Sequence, residues 1–334
     1  MMLLVTGGAG FIGSNFVRRR ALAGDRITVL DALTYAGHME NLSGITDSVT
    51  FVKGDICDAK VAGEVVTKDV DAVVNFAAES HVDRSIMGAS EFIRTNVAGV
   101  QVLLDAVRES GCPRFIQVST DEVYGSTPQG EFFDESTPLA PSNPYAASKA
   151  GADLLALSYF RTHNTPVMIT RCTNNYGPWQ YPEKLIPLFL LRAMKDEELP
   201  LYGDGLNERD WIHVDDHCSA LDAALSRGEP GQVYNICQGS PVSNREIVAR
   251  LLKALGKPES LIGHVADRPG HDRRYALRAD KARQKLGWEP EVNIEDGIAR
   301  TVEWYRSNVD WLQSVTDYRF AEHCTALYGD CGSE

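Results

Sequence analysis

Tyr145 and Lys149 stand four residues apart in Pro144-Tyr145-Ala146-Ala147-Ser148-Lys149, a segment with a helical pattern. Residues at that spacing share one face of a helix, so the phenol and the ammonium can act on the same group. A phenol, with a pKa near ~10, is a poor base at neutral pH, and an adjacent cation is expected to lower that value. The pair suits hydride chemistry on a sugar alcohol. Earlier in the chain, Ser119-Thr120-Asp121-Glu122-Val123-Tyr124-Gly125 sets two carboxylates side by side. A plain dehydrogenase has no use for them. Two close carboxylates can share one proton, leaving one as acid and the other as base. A redox pair with an acid and a base points to oxidation coupled to elimination. Each pair also has an ordinary reading, as a surface Tyr and Lys on an amphipathic helix and as acids solvating a turn.

For Asp121 and Glu122 to reach one ligand, they must lie where their strand ends and the backbone turns, because strand neighbours face opposite ways. The carboxyl edge of an open α/β sheet offers such a place. The first half of the chain supports that fold. Short apolar runs at 3–6, 27–30, 49–53, 72–76, 115–119 and 167–170 alternate with helical patterns such as 13–22, 91–108 and 144–162. Near-continuous Val/Ile/Leu strands are buried on both faces, and alternation with helices implies right-handed crossovers. The expected fold class is α/β, a Rossmann-like doubly wound parallel sheet over residues 1–175. Beyond it a smaller mixed α/β lobe at 176–320 would hold substrate. A segment near 210–240, with the strand 233–236, is expected to return to the main sheet. Residues 321–334 read as a tail.

Gly7-Gly8-Ala9-Gly10-Phe11-Ile12-Gly13 follows the first strand directly and opens a helix. Glycine allows the tight turn and the close approach of pyrophosphate, and the helix N-terminus offers free N–H groups to the anion. Asp31 ends the next strand, where an acid can bind ribose hydroxyls and repel a 2′-phosphate. NAD is therefore the expected cofactor, and its nicotinamide charge is expected to act with Lys149 in lowering the Tyr145 phenol.

The bulk properties set outer limits. The chain has 334 residues, 43% hydrophobic and 24% charged, with a formal net charge of −13. That balance argues against a nucleic-acid binder, which needs a basic face. The seven cysteines are scattered without a Cys-x-x-Cys, so they read as reduced thiols of a cytoplasmic protein. No secretory signal is visible, and the apolar run at 185–191 is too short to span a bilayer. No metal site is expected, and neither nucleic acid nor membrane is an expected partner.

The spacing Gly7-x-x-Gly10-x-x-Gly13 with Tyr145-x-x-x-Lys149 resembles the extended short-chain dehydrogenase/reductase superfamily. Four further stretches narrow the match: Ala77-Ala78-Glu79-Ser80-His81-Val82-Asp83, the segment from Ser119 to Gly125, Arg171-Cys172-Thr173-Asn174-Asn175-Tyr176-Gly177-Pro178 and Asp267-Arg268-Pro269-Gly270-His271. Together they are similar to the dTDP-glucose 4,6-dehydratases over about residues 3–304. Epimerases of the superfamily lack Asp-Glu at this place, and GDP-mannose dehydratases typically carry Ser-Glu, so Asp121 favours the dTDP-glucose branch.

The resemblance implies NAD as a recycled cofactor, dTDP-glucose as substrate and a homodimer built on the helices at 91–108 and 144–162. Tyr145 would take the C4 hydroxyl proton, with Lys149 beside it and Thr120 bonding the C4 oxygen. Glu122 would take the C5 proton, and Asp121 would protonate the departing C6 hydroxyl. Cofactor contacts are implied for Gly7, Gly10, Phe11, Ile12 and Gly13, then for Asp31, Leu33, Thr34 and Tyr35. Asp55, Ile56, Phe76, Ala77 and Ala78 follow, with Ser80, Thr95 and Asn175, besides Tyr145 and Lys149. Substrate contacts are implied for Ser80, His81, Thr120 and Asn174, for Lys184, Leu185, Pro200 and Tyr202, and for Arg209, Asn244, Arg268 and His271. Arg273 is a further candidate for the diphosphate. Thr173 and Trp179 depart from the family pattern beside the sugar pocket. Three classes remain open at this point: this dehydratase, a related enzyme acting on a UDP or GDP sugar, and a non-catalytic NAD-sensing module.

Overall fold

A computed structural model describes residues 1–316 apart from Arg268, so the expected tail and that arginine lie outside the described residues. The first half alternates as its pattern demands. β1 (Met2–Thr6), α1 (Phe11–Leu22), β2 (Arg26–Asp31), β3 (Val49–Lys53), α2 (Ala59–Val65) and β4 (Ala72–Asn75) are followed by α3 (Val82–Met87) and α4 (Ser90–Ile93). Then come α5 (Val100–Ser110), β5 (Phe115–Thr120), α6 (Pro144–His163) and β6 (Val167–Cys172). After β7 (Asn174–Tyr176) lie α7 (Leu185–Met194), β8 (Leu199–Tyr202), β9 (Glu208–Arg209), β10 (Trp211–His213) and α8 (Val214–Arg227). β11 (Val233–Ile236), β12 (Val242–Ser243), α9 (Asn244–Leu255), β13 (Ile262–Val265), α10 (Ile294–Ser307) and α11 (Val309–Val315) complete the order.

Seven parallel strands form the main sheet in the order β11-β6-β5-β4-β1-β2-β3. Every residue of β1 after Met2, and every residue of β4, β5, β6 and β11, is buried, because helices cover both faces. The return of 233–236 to the sheet edge beside β6 is as expected. The chain comes back once more: Leu277, Ala279, Ala282 and Leu286 complete the apolar layer beneath α1 and α8. A separate apolar core joins α7, α9, α10 and α11 to β8 and to Tyr176, and this core forms the smaller lobe.

The expected helix at 91–108 is not one helix. Between α4 and α5 the turns of Arg94–Gly99 widen to π geometry. Asn96 in this stretch accepts from Glu79 N at 2.9 Å and donates to Glu79 O at 3.0 Å and Ser148 Oγ at 2.8 Å. Such π turns cluster at functional sites; this one brings Arg94 and Thr95 to the wall of the central cavity.

Candidate active site

The sheet's carboxyl edge opens into one cavity of about 470 Å³, bounded on the far side by β8, α7 and the start of α9. Its floor begins at the first turn. Gly7 has φ +68°, and a Cβ there would stand 2.6 Å from Ala77 N, while one on Gly13 would stand 2.2 Å from Gly7 O. Only glycine lets these backbones meet so closely. α1 starts at Gly10 with no side-chain cap, which leaves its first N–H groups to an anion. Asp31, buried, receives Ala9 N at 2.9 Å and Leu33 N at 2.8 Å. A carboxylate has more acceptor positions than these two bonds use, so ribose hydroxyls fit as well. These residues suit the dinucleotide that the sequence implies.

The two adjacent carboxylates lie where strand geometry requires. β5 ends at Thr120, and Asp121–Tyr124 turn as a 3₁₀ helix whose second residue, Glu122, donates its N–H to Thr120 Oγ1 at 3.3 Å. The same hydroxyl donates to Asp121 Oδ1 at 3.1 Å. Gly125 closes the turn at φ +76°, where a Cβ would stand 2.3 Å from Ala140 O. Asp121 is only 3% exposed. Burial, with the charge of Glu122 second, pushes its carboxyl well above the usual range. The shift favours the protonated carboxyl, the direction a general acid requires. Glu122 Oε2 receives Asn143 Nδ2 at 3.3 Å, and the Tyr275 hydroxyl, which donates to Asp272 at 2.7 Å, lies 3.5 Å away.

Asn143 also begins α6, its side chain receiving Ala146 N at 2.9 Å, with Pro144 in the first turn. One residue thus ties Glu122 to the helix that carries Tyr145 and Lys149. Both of these are buried against the cavity. In the protein alone, without the nicotinamide charge expected to act with Lys149, the Tyr145 phenol is not lowered. Burial and then Glu122 raise the phenol well above its ordinary value, and the Thr120 hydroxyl only partly opposes them. Lys149 Nζ instead donates to Val118 O at 2.7 Å, and burial lowers its own pKa. The helix register was readable from the spacing, but the cost of burying the phenol was not.

Most of the sequence-derived contacts line this cavity, including Thr34, Tyr35, Asp55, Ile56, Phe76, Ala78 and Thr95 on the dinucleotide side. On the lobe side it is walled by Ser80, His81, Asn174, Lys184, Leu185, Pro200, Tyr202, Arg209, Asn244 and His271. Two candidates stand elsewhere. Leu33 packs against the sheet core and contributes its N–H to Asp31. Arg273 forks onto Asp204 at 2.8 and 3.0 Å on the surface and is not part of the wall. Arg268 lies outside the described residues.

Three residues escaped the sequence reading. Asn143 is one; its signal was an Asn before Pro at a helix start. Glu183 is another: burial pushes it up to about 7, and it receives the Tyr35 hydroxyl at 3.3 Å on the cavity wall. The third is His217. Asn175 Nδ2 donates to Thr173 O at 2.9 Å, which turns Asn175 Oδ1 to His217 Nδ1, also at 2.9 Å. Burial lowers His217 to about 3, so the ring is neutral and Nδ1 must donate. A lone histidine in the sequence gave no hint of it.

Comparisons with known proteins find relatives along nearly the whole chain. The family model described as GDP-mannose 4,6 dehydratase matches residues 4–301. A dTDP-glucose 4,6-dehydratase from Streptomyces niveus is 50% identical over 99% of this chain and all of its own length. The crystal structure of the dTDP-glucose 4,6-dehydratase DesIV from Streptomyces venezuelae, solved with NAD bound, superposes with a TM-score of 0.91 at 52% identity, covering 94% of this chain and 100% of that one. A UDP-glucose 4-epimerase from Thermus thermophilus, also with NAD, gives a TM-score of 0.86 at 32% identity over 92% of this chain and 100% of its own.

Proposed function

The chain belongs to the nucleotide-sugar dehydratase family described by the GDP-mannose 4,6 dehydratase model, and from that premise we propose that it converts dTDP-glucose to dTDP-4-keto-6-deoxyglucose. The observation that carries this reading is the pair Asp121 and Glu122 on the same cavity wall as Tyr145, with burial raising the Asp121 carboxyl. Bound NAD would accept hydride from C4 and return it to C6. Tyr145 takes the proton of the C4 hydroxyl, and Thr120 steadies that oxygen. The ketone at C4 acidifies the C5 hydrogen, which Glu122 removes while Asp121 protonates the departing C6 hydroxyl. The Gly7–Gly13 turn and Asp31 would hold the dinucleotide, and Lys184 and Arg209 would face the diphosphate. An epimerase needs no such acid, which is why Asp121 decides against that activity.

The test is incubation with dTDP-, UDP- and GDP-hexoses. A 4-keto-6-deoxy product should form from dTDP-glucose with no net gain of reduced nicotinamide, because the hydride returns to the sugar. Steady release of reduced nicotinamide would make the protein a simple dehydrogenase.

Asp121 must also leave its mark on pH dependence. Its carboxyl acts only while protonated, and its pKa is raised. Turnover should fall as pH climbs through that raised value. Product formation measured across pH should therefore show an alkaline limb in the wild type that Asp121→Asn lacks in its residual rate. An alkaline limb unchanged in the variant would assign it to another group.

A homodimer in the cytoplasm completes the reading. What supports the dimer is an exposed apolar set, Ile86 (39%), Met87 (67%), Ile93 (50%) and Leu154 (60%), on α3, α4 and α6, where α3 and α4 both pack against α6. Leu154→Lys should shift the protein to monomer in sedimentation analysis, and an unchanged dimer would move the interface elsewhere. Five described cysteines free of disulfides support a reducing compartment. Among the described residues no helix is long and apolar enough to cross a membrane.

A further inference from the structure

We propose that α11 holds the dinucleotide turn in its cofactor-retaining shape through one line of side chains, Trp311 to Asn41 to the backbone of Ala9. The inference rests on the NAD reading above. Ala9 sits inside the Gly7–Gly13 turn. Its N–H donates to Asp31 Oδ2 at 2.9 Å, and its carbonyl receives two donors, His38 N at 3.0 Å and Asn41 Nδ2 at 2.8 Å. The peptides on both sides of Ala9 are thereby held from outside the turn. Their orientation decides where the free N–H groups at the start of α1 point.

The Asn41 amide could face either way, and one contact settles the choice. Trp311 Nε1 donates to Asn41 Oδ1 at 2.8 Å across 270 residues of sequence. An indole N–H is only a donor, so it accepts no alternative in which the amide is flipped. With Oδ1 committed to Trp311, Nδ2 must face the Ala9 carbonyl. Asn41 is 1% exposed, so water does not replace either partner. Its main chain is fixed as well: Arg18 Nε and Nη2 donate to Asn41 O at 3.1 and 2.8 Å, and the Arg18 guanidinium stacks over Trp179 at 4.1 Å. Trp179 in turn meets the Trp311 ring edge-on at 5.6 Å and Trp304 at 4.9 Å. The family match ends at residue 301, so Trp311 lies in the part of the chain that the model leaves unassigned.

This makes Asn41 and Trp311 positioning residues, which act on the cofactor through Ala9 without touching it. A merely structural role would lower stability equally with and without NAD. The test therefore uses the full-length protein and two readouts, the NAD dissociation constant by calorimetry and the rise in Tm that saturating NAD produces. Trp311→Phe keeps an aromatic ring, though a smaller one, and removes the donor, and Asn41→Asp keeps the acceptor for Trp311 but turns an oxygen towards Ala9 O. Both should bind NAD about 10-fold more weakly and lose most of the NAD-dependent rise in Tm, as expected when a buried hydrogen bond fails. Binding of dTDP to the same variants should stay within about 2-fold of the wild type, since one unmade bond at Ala9 leaves the lobe intact. Trp304→Phe is the control, because it trims the same aromatic cluster and leaves Asn41 bonded. NAD affinity unchanged in both Asn41→Asp and Trp311→Phe would overturn the proposal, as would an equal loss in Trp304→Phe, which would assign the effect to packing. A wild type that fails to bind NAD would instead defeat the cofactor reading.

Discussion

Tyr145→Phe should lower turnover of dTDP-glucose by at least about 10²-fold, the usual cost of removing a positioned general base. The change deletes one oxygen from a buried ring that sits edge-on to Phe92 at 6.4 Å, so it leaves no cavity and keeps the ring contact. Binding of the nucleotide sugar should stay within about 2-fold, because the loss falls on the transition state rather than on ground-state binding. The environment makes the expectation sharper. Burial and Glu122 hold the phenol protonated in the protein alone, so a cation must assist before Tyr145 can take a proton. Lys149 is the resident cation on the same helix face, and the positive ring of the oxidised cofactor would be the second. Lys149→Met should therefore also lose turnover and push the acid limb of the remaining activity to higher pH. Calorimetric binding beside a product assay checks both variants. Near-normal turnover of Tyr145→Phe would place the base elsewhere.

How much of this could be read from residues alone depends on how local the cause is. The parallel sheet was legible because each buried strand announces itself as an apolar run, and the run at 233–236 could be recognised as a returning strand for the same reason. The place of Asp121 past the end of its strand followed from a stereochemical argument: neighbours on a strand diverge, so two that cooperate must sit beyond it. The interruption of the helix at 91–108 was not legible, because it depends on Asn96 bonding Glu79 and Ser148, residues far away in sequence. Arg273 shows the limit from the other side. As a residue type it suits a diphosphate, but Asp204, brought close only by the fold, claims both ends of its guanidinium. Tyr145 makes the same point for energy. Its spacing from Lys149 is local and was read correctly, whereas the penalty for burying a phenolate belongs to the whole assembled cavity. Motif residues were thus visible one by one, while Asn143, Glu183 and His217, whose roles exist only through partners, were not.

The two carboxylates should fail at a later step than the tyrosine, and in different ways. Glu122→Gln leaves Tyr145, Lys149 and Thr120 in place, so C4 oxidation can proceed. Elimination then lacks a base at C5 and should slow by about 10²-fold or more. Enzyme mixed with dTDP-glucose should accordingly show a lasting rise in the absorbance of reduced nicotinamide, without the 4-keto-6-deoxy product. Asp121→Asn can still hydrogen-bond the C6 oxygen but has no acidic proton to give. Departure of hydroxide in place of water is the penalty, and the same absorbance rise should appear with slow formation of product. Replacing Asp121 also removes the buried group that Thr120 Oγ1 bonds at 3.1 Å, but an amide oxygen can receive that hydroxyl equally well. Tyr145→Phe should show neither the absorbance rise nor the product, which separates the redox step from the elimination. Solvent deuterium should enter C5 of the wild-type product, because the proton that leaves to Glu122 is exchanged before another returns. Glu122→Gln turning over at the wild-type rate would sink the elimination mechanism, and the fold would then be doing the work of an epimerase or a simple oxidoreductase.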